Sequence, residues 1–190
     1  MKKVNTLILL IIISISFIFC QNSQDKKISN FRIFPVIGQI SPVGENLRSS
    51  YNPGYVIGIG VDIPKTFHFF KKDWGLSTTI KYSALDHLSN DYNSFKILTV
   101  MPHISTTFDQ IIFNLGIGLA TINEVGSNAS RHKHEFIAGS LDIGYNIFSK
   151  EDFNIILNIY FLEILGAPDS YRIKGTSELY GVNLEFSKGL

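Results

Sequence analysis

The segment Arg131-His132-Lys133-His134-Glu135 has the residue types and spacing closest to a chemical site. Extended, it would project His132 and His134 to one face and present two imidazoles to a metal ion. No third ligand stands nearby, and Arg131 and Lys133 would repel a cation, so the segment reads as a solvated loop. His87, His103 and Ser83 are of the types a hydrolase or acyltransferase uses, but no motif joins them. Asp62, Lys81, Asp142 and Glu185 stand alone among small or apolar neighbours. Paired carboxylates can do acid–base work; here an ion-pair network, with Arg32 beside it, is the expectation. Gly58/Gly60 and Gly116/Gly118 are not phosphate loops, because no helix follows them. Asn128-Ala129-Ser130 fits a glycosylation sequon by accident. The sequence therefore assigns no catalytic, cofactor-binding or metal-binding residue, and the expectation is a protein that is not an enzyme and carries no cofactor.

The elements that would carry these residues are strands. From Tyr180 the bulky residues Tyr180, Val182, Leu184 and Phe186 alternate with Gly181, Asn183, Glu185 and Ser187. A strand sends such residues to opposite faces. The same alternation recurs over 55–63, 74–82, 111–120, 137–147 and 153–161. Segments 31–40 and 95–104 are less regular: Phe34 and Val36 occupy the minor face of the first, and the second is ambiguous in phase and contains Pro102. That gives eight strands with no helical periodicity between them.

The N-terminus differs. Lys2 and Lys3 precede an apolar run from Leu7 to Cys20, and the chain turns polar at Gln21. This is the pattern of a cleaved secretory signal peptide, and the run is short of the ~20 residues of a spanning helix. Cys20 is the only cysteine. Phe19 before it is large where lipoprotein processing needs a small residue, so ordinary cleavage is expected. The organisation reads as a signal peptide over 1–20, a flexible lead-in over 21–29 and a β-barrel domain over 30–190. Without residues 1–20 the chain loses two of its 17 basic residues and none of its 16 acidic ones. Near-neutral charge excludes a nucleic-acid partner, and the lack of disulfides calls for a closed hydrogen-bonded structure.

The connections alternate in length. Those near 41–54, 83–94, 122–135 and 166–177 are long and polar, whereas 105–109 and 149–152 are short. The connection 64–73 breaks the rule by being long. Wide aliphatic faces opposed to Gly, Asn, Ser and Thr faces suit a barrel whose apolar side meets lipid and whose small residues fill a narrow lumen. Such a lumen is expected to lack a roomy pocket. Phe31, Trp74, Phe108, Phe148, Phe153 and Phe186 fall near one end, and Tyr51, Tyr55, Tyr82, Tyr92 and Tyr171 near the other, as two aromatic girdles would.

With this strand pattern, loop asymmetry and leader, residues 30–190 resemble the small eight-stranded outer-membrane barrels of the outer membrane protein A or X, or opacity-protein, type. The resemblance implies an eight-stranded antiparallel up-and-down transmembrane β-barrel in the bacterial outer membrane. It implies outer-membrane lipid and the barrel assembly machinery as partners, with a structural, adhesive or surface-interaction role and extracellular ligands at the loops. Members commonly end on an aromatic residue, whereas here Ser187-Lys188-Gly189-Leu190 follows Phe186 as a tail. Two alternatives remain at this level. One is a soluble or lipid-anchored lipocalin-like carrier with its aliphatic face inward; the other is a lipid-modifying barrel enzyme.

Overall fold

The computed structural model describes residues 31–43, 48, 51–86, 88, 94–125, 131–150, 153–165 and 177–189. The leader, Cys20, His87 and the Asn128–Ser130 sequon lie outside the described residues. Eight strands follow in order: β1 Arg32–Pro42, β2 Gly54–Phe69, β3 Lys72–Asp86, β4 Ser94–Phe108, β5 Ile111–Val125, β6 Arg131–Lys150, β7 Phe153–Leu165 and β8 Ser177–Gly189. Each pairs antiparallel with the next, and β8 pairs with β1 to close the barrel. Closure leaves no continuous sheet edge, which a chain surrounded by lipid requires.

Alternation in sequence becomes inside and outside. In β7, Phe153, Leu157, Ile159 and Phe161 are exposed, while Asn154, Ile156, Asn158, Tyr160, Leu162 and Ile164 are buried without a break. In β8, Tyr180 and Val182 face out and Gly181, Asn183, Glu185 and Ser187 face in. The closing seam was the least regular part of the sequence, and one interior contact accounts for it. Phe34 and Val36 point into the lumen, where Phe34 lies against Gly60, its register partner on β2. A Cβ on Gly60 would come within 2.2 Å of the Phe34 ring, so the missing side chain of one residue makes room for the large one of the other. Phase in β4 is similarly resolved: Phe95, Ile97, Met101 and His103 face inward. Pro102 pairs with Thr78 on β3, while the recorded β4–β5 pairing passes from Val100 to His103. Its missing N–H removes one ladder bond.

The structure corrects three boundaries and one aromatic assignment. The connection 64–73 is not a loop. Strand β2 continues to Phe69, which pairs with Lys72 after a bulge between Ile63 and Phe67. The bulge holds Lys65 at φ 56°, and Thr66 Oγ1 donates a hydrogen bond to the Ile63 carbonyl at 2.6 Å. Strand β1 pairs with β2 only as far as Asp62, so Pro64 stands where no ladder to β1 is made. The second correction concerns Arg131–Glu135, which begins β6 and pairs with β5 from Val125↔Arg131 to Thr121↔Glu135; hairpin register there overrides the polar composition. Third, the residues after Phe186 are not a loose tail, since Lys188 and Gly189 pair with Ile33 and Arg32. Fourth, Tyr51 is buried, its ring tilted against that of Phe95 with centroids 5.2 Å apart, and so caps the interior instead of joining a girdle. Tyr55 and Tyr82 do lie side by side on neighbouring strands, 6.3 Å apart.

With the 64–73 exception removed, the intervals between the strand bounds alternate in length: two residues after β2, β4 and β6, and five or more after β1, β3, β5 and β7. The β2–β3 turn places both Phe70 (φ 49°) and Lys71 (φ 59°) in the left-handed region. A two-residue hairpin turn of this kind favours Asn-Gly, because side chains beyond Cβ gain nothing there and bulky ones are strained. The double substitution Phe70→Asn, Lys71→Gly is therefore expected to stabilise the barrel by about 1 kcal/mol, read as a higher urea midpoint for the folded form on unheated gels. An unchanged or lower midpoint would show that the native pair is not strained.

Candidate functional site

The interior has three levels. Under the long connections lies an apolar plug: Ile40, Val56, Leu85, Phe95, Ile97, Ile122, Ile164 and Leu179, all buried and in one cluster, roofed by Tyr51. The sequence pattern of polar-in, apolar-out does not hold at this end, because strands that run past the bilayer need a core of their own.

The middle level is charged. Lys81 Nζ bonds Asp142 Oδ2 at 3.2 Å, with side chains 8% and 2% exposed. The same ammonium lies 4.6 Å from the Tyr160 ring centroid, a cation–π contact that adds to the pair. His103 Nε2 bonds Ser140 Oγ at 3.0 Å and stands 3.9 Å from Asp142 Oδ2. Of the expected network only Lys81 and Asp142 form a direct pair; Asp62 and Glu185 have no ion pair among the described residues. His103 belongs to this level and was not assigned to it from sequence, because the apolar Phe95 and Ile97 on its own face blur the phase of β4.

Ser140, His103 and Asp142 thus share the residue types of a hydrolase triad, but their geometry differs from that of a working one. In a working triad the carboxylate holds one imidazole nitrogen while the other takes the serine proton. Here Ser140 and Asp142 both approach the same nitrogen, Nε2. The adjoining void is about 10 Å³, one water at most. His103 and Ser83 are both buried inside the barrel, away from the lipid where an acyl substrate would lie. His134 of the sequence's metal candidate stacks on Phe136 with centroids 6.2 Å apart, and the described residues contain no cluster of three metal-ligating side chains.

At the tight-turn end the lumen opens into a polar cavity of about 560 Å³, lined among others by Arg32, Asp62, Lys65, Lys71, Lys72, Asn154, Asn158, Glu185 and Ser187. This corrects the expectation of a lumen without a roomy pocket. At this end several inward positions hold small polar residues, such as Ser77, Ser105 and Asn114, which leave part of the interior unfilled where the plug residues would have filled it.

Outside, the picture inverts. Ile37, Ile57, Ile59, Ile80, Leu98, Ile104, Leu115, Ile117, Ile137, Ile143, Leu157, Ile159 and Val182 are all exposed, a belt running round the barrel. An apolar belt of this extent is incompatible with water and matches the lipid face of a membrane barrel. Aromatic pairs bound it at the tight-turn end: Phe67 stacks on Trp74 and Phe108 meets Phe113 edge-on. No protein-family model matches the chain, and no curated protein matches it by sequence. Its structure is similar to that of Neisserial surface protein A, with a TM-score of 0.59 at 12% identity over 87% of this chain and 100% of that one. The Yersinia pestis outer membrane protein Ail gives 0.49 at 11% identity, over 83% and 99% of the two chains. The N-terminal barrel of Pseudomonas aeruginosa OprF gives 0.44 at 15%, over 84% and 98%. The fold is that of the small eight-stranded outer-membrane β-barrels.

Proposed function

We propose that the protein is a non-enzymatic integral component of the bacterial outer membrane with a structural, adhesive or surface-interaction role carried by its long connections. The observation behind this reading is the exposed aliphatic belt around a polar and charged interior. Partners of matching chemistry are outer-membrane lipid along the belt, the assembly machinery during insertion and extracellular ligands at the long connections. The plug beneath those connections favours recognition over transport, because an interior filled by Phe95, Ile97, Ile122 and their neighbours leaves no aqueous path for solutes. A soluble carrier would need the aliphatic rows inside and the Gly/Asn rows outside, the reverse of the burial found.

The expressed protein is expected to fractionate with outer membranes, to require detergent for a monodisperse preparation and to migrate differently on gels with and without heating. Recovery from the soluble periplasmic fraction would end this reading. Exchange of the four long connections for short turns should then abolish binding to host surfaces while preserving heat-modifiable migration.

A further inference from the structure

We propose that the outward face of the β2–β3 hairpin end binds an anionic phospholipid of the leaflet at the tight-turn end, lysines holding its phosphate and aromatic rings its chains. The inference rests on the reading of the aliphatic belt as lipid-facing and adds a headgroup class and the residues that select it. Register sets Phe67 opposite Trp74, His68 opposite Asp73 and Phe69 opposite Lys72. Phe67, Phe69, Lys72 and Trp74 therefore share one face of the hairpin, and His68 and Asp73 the other. On the first face the Phe67 and Trp74 rings stack with centroids 6.3 Å apart, and Phe69 is 55% exposed. The Lys72 ammonium lies 4.6 Å from the centroid of the exposed Phe108 ring, its stem laid along apolar surface with the charge at the rim. This face carries a cation and no carboxylate. Over the bulge and turn, 64–73, three lysines stand against one carboxylate, and that one, Asp73, is engaged 2.9 Å from His68 Nδ1. Asp109, in the neighbouring turn, borders the lumen cavity.

A second observation is independent of charge. Phe70 and Lys71 form the turn with φ of 49° and 59°, a region where bulky side chains are strained. Phe70 is 81% exposed, and Phe69, 4.2 Å away, is its ring contact. A turn that keeps a strained phenyl ring outside the fold does so for a contact beyond the chain. Continuity selects lipid as that contact, because the Phe67–Trp74 and Phe108–Phe113 pairs lead from the hairpin into the exposed rows of Ile104 and Leu115. The Trp74 Nε1 proton is already donated to the Phe69 carbonyl at 3.0 Å, so recognition of the phosphate falls to the lysines. An acidic phospholipid supplies a net negative headgroup for them and chains for the rings.

Trp74 is the single tryptophan of the chain, so its fluorescence reports on this site alone. The full-length protein is reconstituted in bilayers of phosphatidylglycerol and phosphatidylcholine, with bromine on the chains of one lipid or the other, and quenching of Trp74 gives the relative occupancy. The expected result is a preference for phosphatidylglycerol of about fivefold or more, falling close to parity for the pair Lys71→Gln, Lys72→Gln. Lys133→Gln, on β6 near the long connections, should leave the preference unchanged. Heat-modifiable migration verifies that each variant is folded, and Lys65→Gln with Lys71→Gln replaces the first pair if that one is not. Quenching by both lipids without preference, or a preference that survives both lysine pairs, overturns the site and leaves the lipid-facing belt standing. Absence of quenching by either lipid also overturns it and assigns the hairpin to a protein or cell-wall partner; fractionation with outer membranes then shows whether the belt reading survives.

Discussion

Replacement of Asp142 by Ala is expected to destabilise the barrel by about 3–5 kcal/mol, the usual cost of stranding one member of a buried ion pair. Lys81 then keeps its side chain 8% exposed without its direct carboxylate partner, against the Tyr160 ring 4.6 Å away and in the field of the buried Glu185. Lys81→Ala should cost a similar amount, since Asp142 then loses its ammonium partner, and His103 Nε2, 3.9 Å away, is a cation only when protonated. The informative variant is the double one. Lys81→Met with Asp142→Leu removes both charges at nearly constant volume and should recover most of the loss, as hydrophobic replacement of buried pairs often does. Urea titrations of vesicle-inserted protein, read by the heat-modifiable shift, would measure all three. Single variants within about 1 kcal/mol of the parent would mean that water reaches this level and solvates the free charge.

The contrast between this level and its neighbours explains what could be read from residues alone. Period-two alternation depends on burial against lipid or lumen, so it is clean where both sides are uniform. That is the situation over most of β5, β7 and β8, whose alternation is legible over 111–120, over 153–161 and from Tyr180 to Ser187, short of the ends at Val125, Leu165 and Gly189. It fails where the interior changes character along one strand. In β4 the inward row runs Phe95, Ile97, Thr99, Met101, His103, passing from plug to charged level, so neither face is consistently polar and the phase is lost. Asp142 and Lys81 were legible as inward charges because each interrupts a small-residue row, but their pairing depends on register across β4 and β5, which no local pattern encodes. Hairpin ends were misjudged for a related reason. Pro64, Lys65 and Thr66 have the composition of a loop, yet the stacked Phe67 and Trp74 and the Trp74 Nε1 bond to the Phe69 carbonyl at 3.0 Å hold the segment in a hairpin. The cavity escaped notice because it is defined by volume, and small polar residues read alike whether packed or lining a space.

Arginine at Leu157 is expected to destabilise the membrane-inserted barrel by about 2–4 kcal/mol, whereas arginine at Phe153 on the same outward row should cost about 0–1 kcal/mol. Both side chains face out, being 39% and 38% exposed, so a soluble protein would treat the two substitutions alike. Depth separates them. The outward row of β7 is apolar from Phe153 through Ile155, Leu157 and Ile159 to Phe161, and then reaches Glu163. That span matches the 9–11 residues a tilted strand needs to cross a bilayer, and Leu157 is at its middle. Phe153 pairs with Lys188 of β8, so an arginine there joins a cation already at the tight-turn boundary and reaches headgroup phosphates by extending its side chain. Glu163 sets the opposite boundary, and Glu163→Arg should likewise cost little. Ile117, 62% exposed on β5 beside Gly139, should follow Leu157. A profile with its maximum at Leu157 and Ile117 and near zero at both ends would fix the bilayer against the barrel. Equal, small costs at all four positions would show that the belt does not meet lipid, and the assignment of inside and outside to this fold would then have to rest on another surface.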